Sequence, residues 1–98
     1  MMNVYFMGAI SLVVSDTPVS IDPASVPLGT SGILFAVNTG GVNWLPDQEP
    51  TPTFGLPLYA GQMESLEHTQ IPTLRFVRCS SVDAVMTIMF VSGINIRY

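Results

Sequence analysis

Turn-forming residues recur every few positions along this chain, and that spacing constrains its fold more than any other feature. Asp16-Thr17-Pro18, Asp22-Pro23, Pro27-Leu28-Gly29, Asn38-Thr39-Gly40-Gly41, Pro46-Asp47, Pro50-Thr51-Pro52, Gly55, Gly61, Pro72, Ser80-Ser81 and Gly93 cut it into short pieces. The pieces between them are rich in Val, Ile, Phe, Tyr and Thr, and none carries a sustained i, i+3, i+4, i+7 apolar stripe. The pattern predicts an all-β fold: a small antiparallel β-sandwich or barrel, jelly-roll-like, in a single domain spanning residues 1–98.

The expected strands follow from the apolar runs. Val4–Val14 is the first, bent at Gly8, so that residues 1–10 form an N-terminal strand or arm. Val19–Ile21 is short. Ile33–Val37 is continuously apolar, as suits a strand covered on both faces. Val42–Leu45 follows Asn38-Thr39-Gly40-Gly41, a hairpin signal in which glycine supplies the positive φ angles. Gln62–Glu67, Thr73–Cys79 and Ala84–Ser92 come next, with Ile94–Arg97 as a possible last strand. In Ala84–Ser92, Met86, Ile88 and Phe90 share one face while Val85, Thr87, Met89 and Val91 share the other. Both faces are uncharged, so the strand is either central and covered twice or turned toward another subunit. Leu45–Tyr59 has four prolines in fifteen residues. It is expected to be a long ordered loop, since proline is excluded from helix interiors and central strands. Pro57 and Gly61 mark two corners, with Leu58 and Tyr59 as a short extended edge between them.

Charge narrows the function. Of 98 residues, 48% are hydrophobic and only 10% charged, against about 25% charged in an ordinary soluble protein. There is no lysine; Arg75, Arg78 and Arg97 face seven acids, for a net charge of -4. Disorder needs the opposite composition. Three arginines make a poor phosphate-backbone footprint, so no nucleic acid is expected as partner. Cys79 has no disulfide partner in this sequence, and His68 is the one histidine available to a metal site. Val4–Val14 is too short for a membrane-spanning helix and lacks the positive flank of a signal peptide, so it reads as a strand. A chain this small buries only about 64% of its surface. With so few charges, the exposed remainder is apolar or neutral, which points to a covered surface in an assembly.

The chemical candidates are weak. His68, Cys79 and Asp83 offer a nucleophile, a base and an orienter, without the local signature of a thiol enzyme. Glu64 and Glu67, three apart on a strand, point to opposite faces. Asp16, Asp22, Asp47 and Glu49 lack the alternation of a calcium loop. No enzyme activity, cofactor or metal is therefore expected. Trp44, Phe54 and Tyr59 could form a sugar platform, though a Trp beside a Pro-rich loop more often packs beneath it. Arg75 and Arg78 lie on opposite strand faces, and one suits an ion pair across a subunit contact.

From Ser11 onward the pieces fall in a recognisable order. Val37-Asn38-Thr39-Gly40 is followed by Phe54-Gly55-Leu56-Pro57-Leu58-Tyr59-Ala60-Gly61, then Met63-Glu64-Ser65-Leu66-Glu67, Leu74-Arg75-Phe76-Val77, Cys79-Ser80-Ser81 and a closing apolar strand. Over about residues 11–92 this resembles a family of small structural proteins of tailed bacteriophages. That family's usual Ala-Ala-Ser-Gly-Thr turn before the last strand is here Cys79-Ser80-Ser81-Val82-Asp83. The resemblance implies a compact antiparallel β-fold and a virion component without enzyme activity. Members serve as head decoration (cement) proteins or as neck and tail parts. The expectation is a capsid decoration protein assembled in the host cytoplasm. Its partners would be copies of itself, as a dimer or trimer, and virion proteins such as the major capsid protein. A neck, tail or fibre-attachment part and a carbohydrate-binding module for host adsorption are the alternatives. The expected contact residues are Met1, Met2, Tyr5, Phe6, Trp44, Phe54, Tyr59, Arg75, Val85, Met89, Ile94 and Tyr98.

Overall fold

The computed structural model describes residues 3–94. It has seven strands: β1 (Asn3–Val14), β2 (Gly32–Thr39), β3 (Gly41–Leu45), β4 (Leu56–Tyr59), β5 (Met63–Glu67), β6 (Arg75–Arg78) and β7 (Ala84–Ile94). Two 3-10 turns, Pro23–Ser25 and His68–Thr73, complete it. The strands divide into an antiparallel sheet ordered β1-β7-β2-β5 and a second ordered β4-β3-β6. The expected β-sandwich is the observed fold. Its accessible surface of 5757 Å² agrees with the roughly 5,500 Å² that a monomer of this mass should expose.

Alternation along the strands makes the core. Met86, Ile88 and Phe90 of β7 and Ile33, Phe35 and Val37 of β2 point inward and are buried. From the second sheet come Val42, Trp44, Leu58 and Phe76. Phe35 sits edge-on to both Trp44 and Phe76, with ring centroids 5.2 and 5.3 Å away, the geometry that aromatic quadrupoles favour. Ile71 and Leu74, from the second 3-10 turn and its end, join the same cluster.

Several expectations need correction. Asn38–Gly41 is not a hairpin: β2 and β3 lie in different sheets, and the chain changes sheets at Gly40. Gly40 has φ +79° and a Cβ there would lie 3.1 Å from Ala84 Cα, so the corner needs glycine twice over. Val19–Ile21 is reduced to one bridge, Val19 to Phe76. The Pro-rich segment yields its last four residues to β4, an edge strand in which Pro57 is tolerated. The bend expected at Gly8 is a bulge: the β1–β7 register slips between Phe6 and Gly8, and Gly8 has φ +142°. β7 runs through Gly93 to Ile94 unbroken; the rest of the proposed Ile94–Arg97 strand lies outside the described residues.

Candidate interaction surface

In a two-layer sandwich each sheet has an outer face, normally polar. The two outer faces here differ. Over the smaller sheet the chain supplies its own cover. Asn43 points outward from β3, only 6% exposed, and its Nδ2 donates to the carbonyls of Thr51 (3.0 Å) and Pro52 (3.2 Å). This pins the Pro46–Gly55 loop across the sheet. Pro50 is buried, and so is Val77, the strand partner of Asn43, although Val77 stands outside the main core. The loop is exposed, as expected, but much of its role is to roof its own sheet.

Among the described residues the larger sheet has no such roof. Strand pairing sets its outward residues in rows across β1, β7, β2 and β5: Phe6, Val91, Gly32, Glu67; then Ala9, Met89, Leu34, Ser65; then Ser11, Thr87, Ala36, Met63. A fourth row holds Val13, Val85 and Thr39. Asn38 lies beside it and accepts a hydrogen bond from Thr87 Oγ1 at 2.8 Å. Glu67, on the outermost strand, is the one charged residue in these rows. Phe6, Val13 and Met63 are each more than 60% exposed. The face is thus broad and mostly apolar, with Val, Met, Leu, Ala and Phe at nine of its fifteen positions, Ser and Thr at four, and its one charge, Glu67, at the edge strand. Four strands about 4.8 Å apart and seven residues at about 3.4 Å each give a footprint of roughly 400 Å². Its exposed apolar side chains, Phe6, Val13 and Met63, stand in a mostly apolar surround, and patches of this kind often mark contact sites.

The expected contact residues divide accordingly. Phe6, Val85 and Met89 lie on this face, Val85 and Met89 half-buried. Tyr5 is exposed beside them on β1, paired with Ser92 rather than sharing the face. Ile94 ends β7 opposite Asn3. Met1, Met2 and Tyr98 lie outside the described residues. Phe54 and Tyr59 are exposed on the other sheet's side, the Tyr59 ring close over Gly41. Trp44 is corrected: it is a core residue, 7% exposed, because its inward position on β3, paired with Phe76, sets its ring edge-on to Phe35 between the sheets. The sugar platform therefore loses its central ring. Arg75 is half-buried, and its Nη1 donates to the Pro72 and Leu74 carbonyls at 3.2 and 3.3 Å. Arg78 pairs with Asp83 across the β6–β7 turn.

His68 and Cys79 have different neighbours. His68 borders an apolar pocket of about 330 Å³ with Ile21, Pro23, Val26, Leu28 and Ile71, whereas Cys79 Sγ lies near Gly41 and Tyr59. Among the described residues no three of His, Cys, Asp and Glu come together. Nothing in the sequence announced this pocket, whose walls come from residues 21–30 and 68–72, or the Asn43 anchor, whose acceptors are backbone carbonyls. Comparison with family models, curated proteins and solved structures gives no match.

Proposed function

We propose that this chain is a structural subunit that acts by contact rather than chemistry: a virion protein of a tailed bacteriophage, and within that class a capsid decoration or cement protein. The observation that carries this reading is the mostly apolar outer face of the β1-β7-β2-β5 sheet, which no described segment covers. The family resemblance over residues 11–92 supplies the particle. The outer face packs on the shell, with the major capsid protein as partner and further copies alongside. Nine of the fifteen residues in the rows are apolar, so burying the face removes roughly 240 Å² of apolar surface and gains about 6 kcal/mol, against an association cost of about 4–15 kcal/mol. A single contact is therefore marginal. Repetition around a shell makes it effective, because neighbouring contacts share the entropic cost.

Two measurements test this. Protein counting on intact particles separates a head position, with hundreds of copies, from the alternative neck or tail position, with a dozen or fewer. Particles assembled without the chain should rebind purified wild-type protein and should fail to bind Met89→Lys, which places a cation at the centre of the face. If wild-type protein does not bind such particles, the reading is wrong.

A further inference from the structure

The two sheets have four edge strands: β1 and β5 in one, β4 and β6 in the other. An open edge presents unpaired N–H and C=O groups and recruits other strands unless something guards it. Three of these edges are guarded. β4 has four residues and contains Pro57. The outer side of β6 is taken by the Ser15–Val19 segment, through Val19 N–H to Phe76 O, Phe76 N–H to Val19 O and Arg78 N–H to Ser15 O. β5 has five residues, two of them Glu64 and Glu67. β1 has twelve residues, with no charge and no proline. Among the described residues no backbone hydrogen bond outside its ladder with β7 reaches it. At about 3.4 Å per residue it is about 40 Å long, close to the 42 Å long axis of the molecule. Its bulge lies between Phe6 and Gly8, so the register from Gly8 to Val14 is regular.

We propose that Gly8–Val14 of β1 pairs antiparallel with the same segment of a second copy, about a twofold axis at Ser11, to form one continuous eight-stranded sheet. The occupant is a second copy because pairing needs a partner edge that is itself long, uncharged and unguarded, and within the described chain β1 is that edge. The alternation fits. About Ser11, Ile10 meets the copy's Leu12 and Ala9 meets its Val13, so inward residues meet inward and outward meet outward. A slip of one residue would set core against solvent. Electrostatics also permits it: Asp16, the nearest charged residue, lies beyond the paired segment in each copy, so the two carboxylates do not meet. This inference stands on the strand edges and does not depend on the particle reading.

Light scattering on sized samples tests it, with circular dichroism to check each fold. Wild type and Met89→Lys should both show twice the 10.6 kDa chain mass, and Ser11→Lys should show the single mass. A monomer throughout overturns the proposal. So does a dimer that survives Ser11→Lys, or one lost in Met89→Lys, which would mean that the outer faces stack instead. Should either lysine variant fail to fold, Ser11→Cys in a Cys79→Ser background decides. Mild oxidation should then give a disulfide dimer, while Ser65→Cys on β5 gives none. Equal cross-linking at both sites, or none at Ser11→Cys, overturns it.

Discussion

Replacing Asn43 separates the roof of the smaller sheet from the sheet itself. The side chain is 6% exposed and gives both amide hydrogens to loop carbonyls. In Asn43→Ala two hydrogen bonds go, at about 1 kcal/mol each, for a loss of about 2 kcal/mol. Asn43→Asp keeps the shape but turns an acceptor-only carboxylate toward two carbonyl oxygens. An uncompensated buried charge costs about 3–5 kcal/mol, so at pH 7 the aspartate variant is the less stable. The carboxyl is better tolerated when neutral, so its folded-state pKa rises above the unfolded value of about 3.9. A raised carboxyl pKa means that the charge penalty is absent below the unfolded pKa and develops as pH rises through and above it. The gap between the two variants should therefore be widest near neutrality and close at about pH 3, where the protonated acid can itself donate. Urea unfolding reads this directly, because Trp44 is the single tryptophan and lies in the core beside Phe35. Equal stability of the two variants at pH 7, or a gap that ignores pH, would refute the assigned geometry.

Two further substitutions probe the core and the corner. Phe35→Ala removes the ring between Trp44 and Phe76 and should cost about 3–5 kcal/mol, which a thermal melt reads as a drop of about 20 °C. Gly40→Ala should cost about 2 kcal/mol or more, from the left-handed φ and the contact with Ala84 at 3.1–3.2 Å. Gly61→Ala shares the positive φ but meets nothing within 4 Å, so it should cost less, and denaturant midpoints of the pair isolate the steric share.

The sequence made the strands legible wherever a local rule decides. In β7 the alternation of Met86, Ile88 and Phe90 with Val85, Thr87 and Met89 reads directly as two faces, and the buried set is the first. The Gly8 bend and the edge role of Leu58 and Tyr59 were equally local. What failed depended on distant partners. Asn38–Gly41 carries hairpin chemistry, but the same residues serve a corner when β3 finds β4 and β6 instead of β2. Trp44 beside a Pro-rich loop fits either a platform or a core, and only Phe35, nine positions earlier, settles it. The outer face was visible on β7 alone. Its rows join Ser11, Thr87, Ala36 and Met63, which no window along the chain brings together. Asn43 escaped notice because its acceptors are backbone carbonyls, which leave no mark in composition.

The surplus of apolar residues now has two separate destinations. In β7, Ala84, Met86, Ile88 and Phe90 belong to the core, while Val85, Thr87, Met89 and Val91 belong to the outer face. Parity therefore uncouples folding from docking: a lysine at Met89 can extend into solvent, whereas one at Ile88 would bury a charge. Yet the strand also couples them. β7 sits between β1 and β2, so a partner held on its outer face resists separation of the sheet's central ladder, and binding to the native state alone raises the unfolding free energy with partner occupancy. Edge pairing at β1 would act in the same direction from the side. On the proposed reading, then, each contact adds to the stability of the folded chain as its occupancy rises, so assembly would stabilise the subunit as well as carry its function.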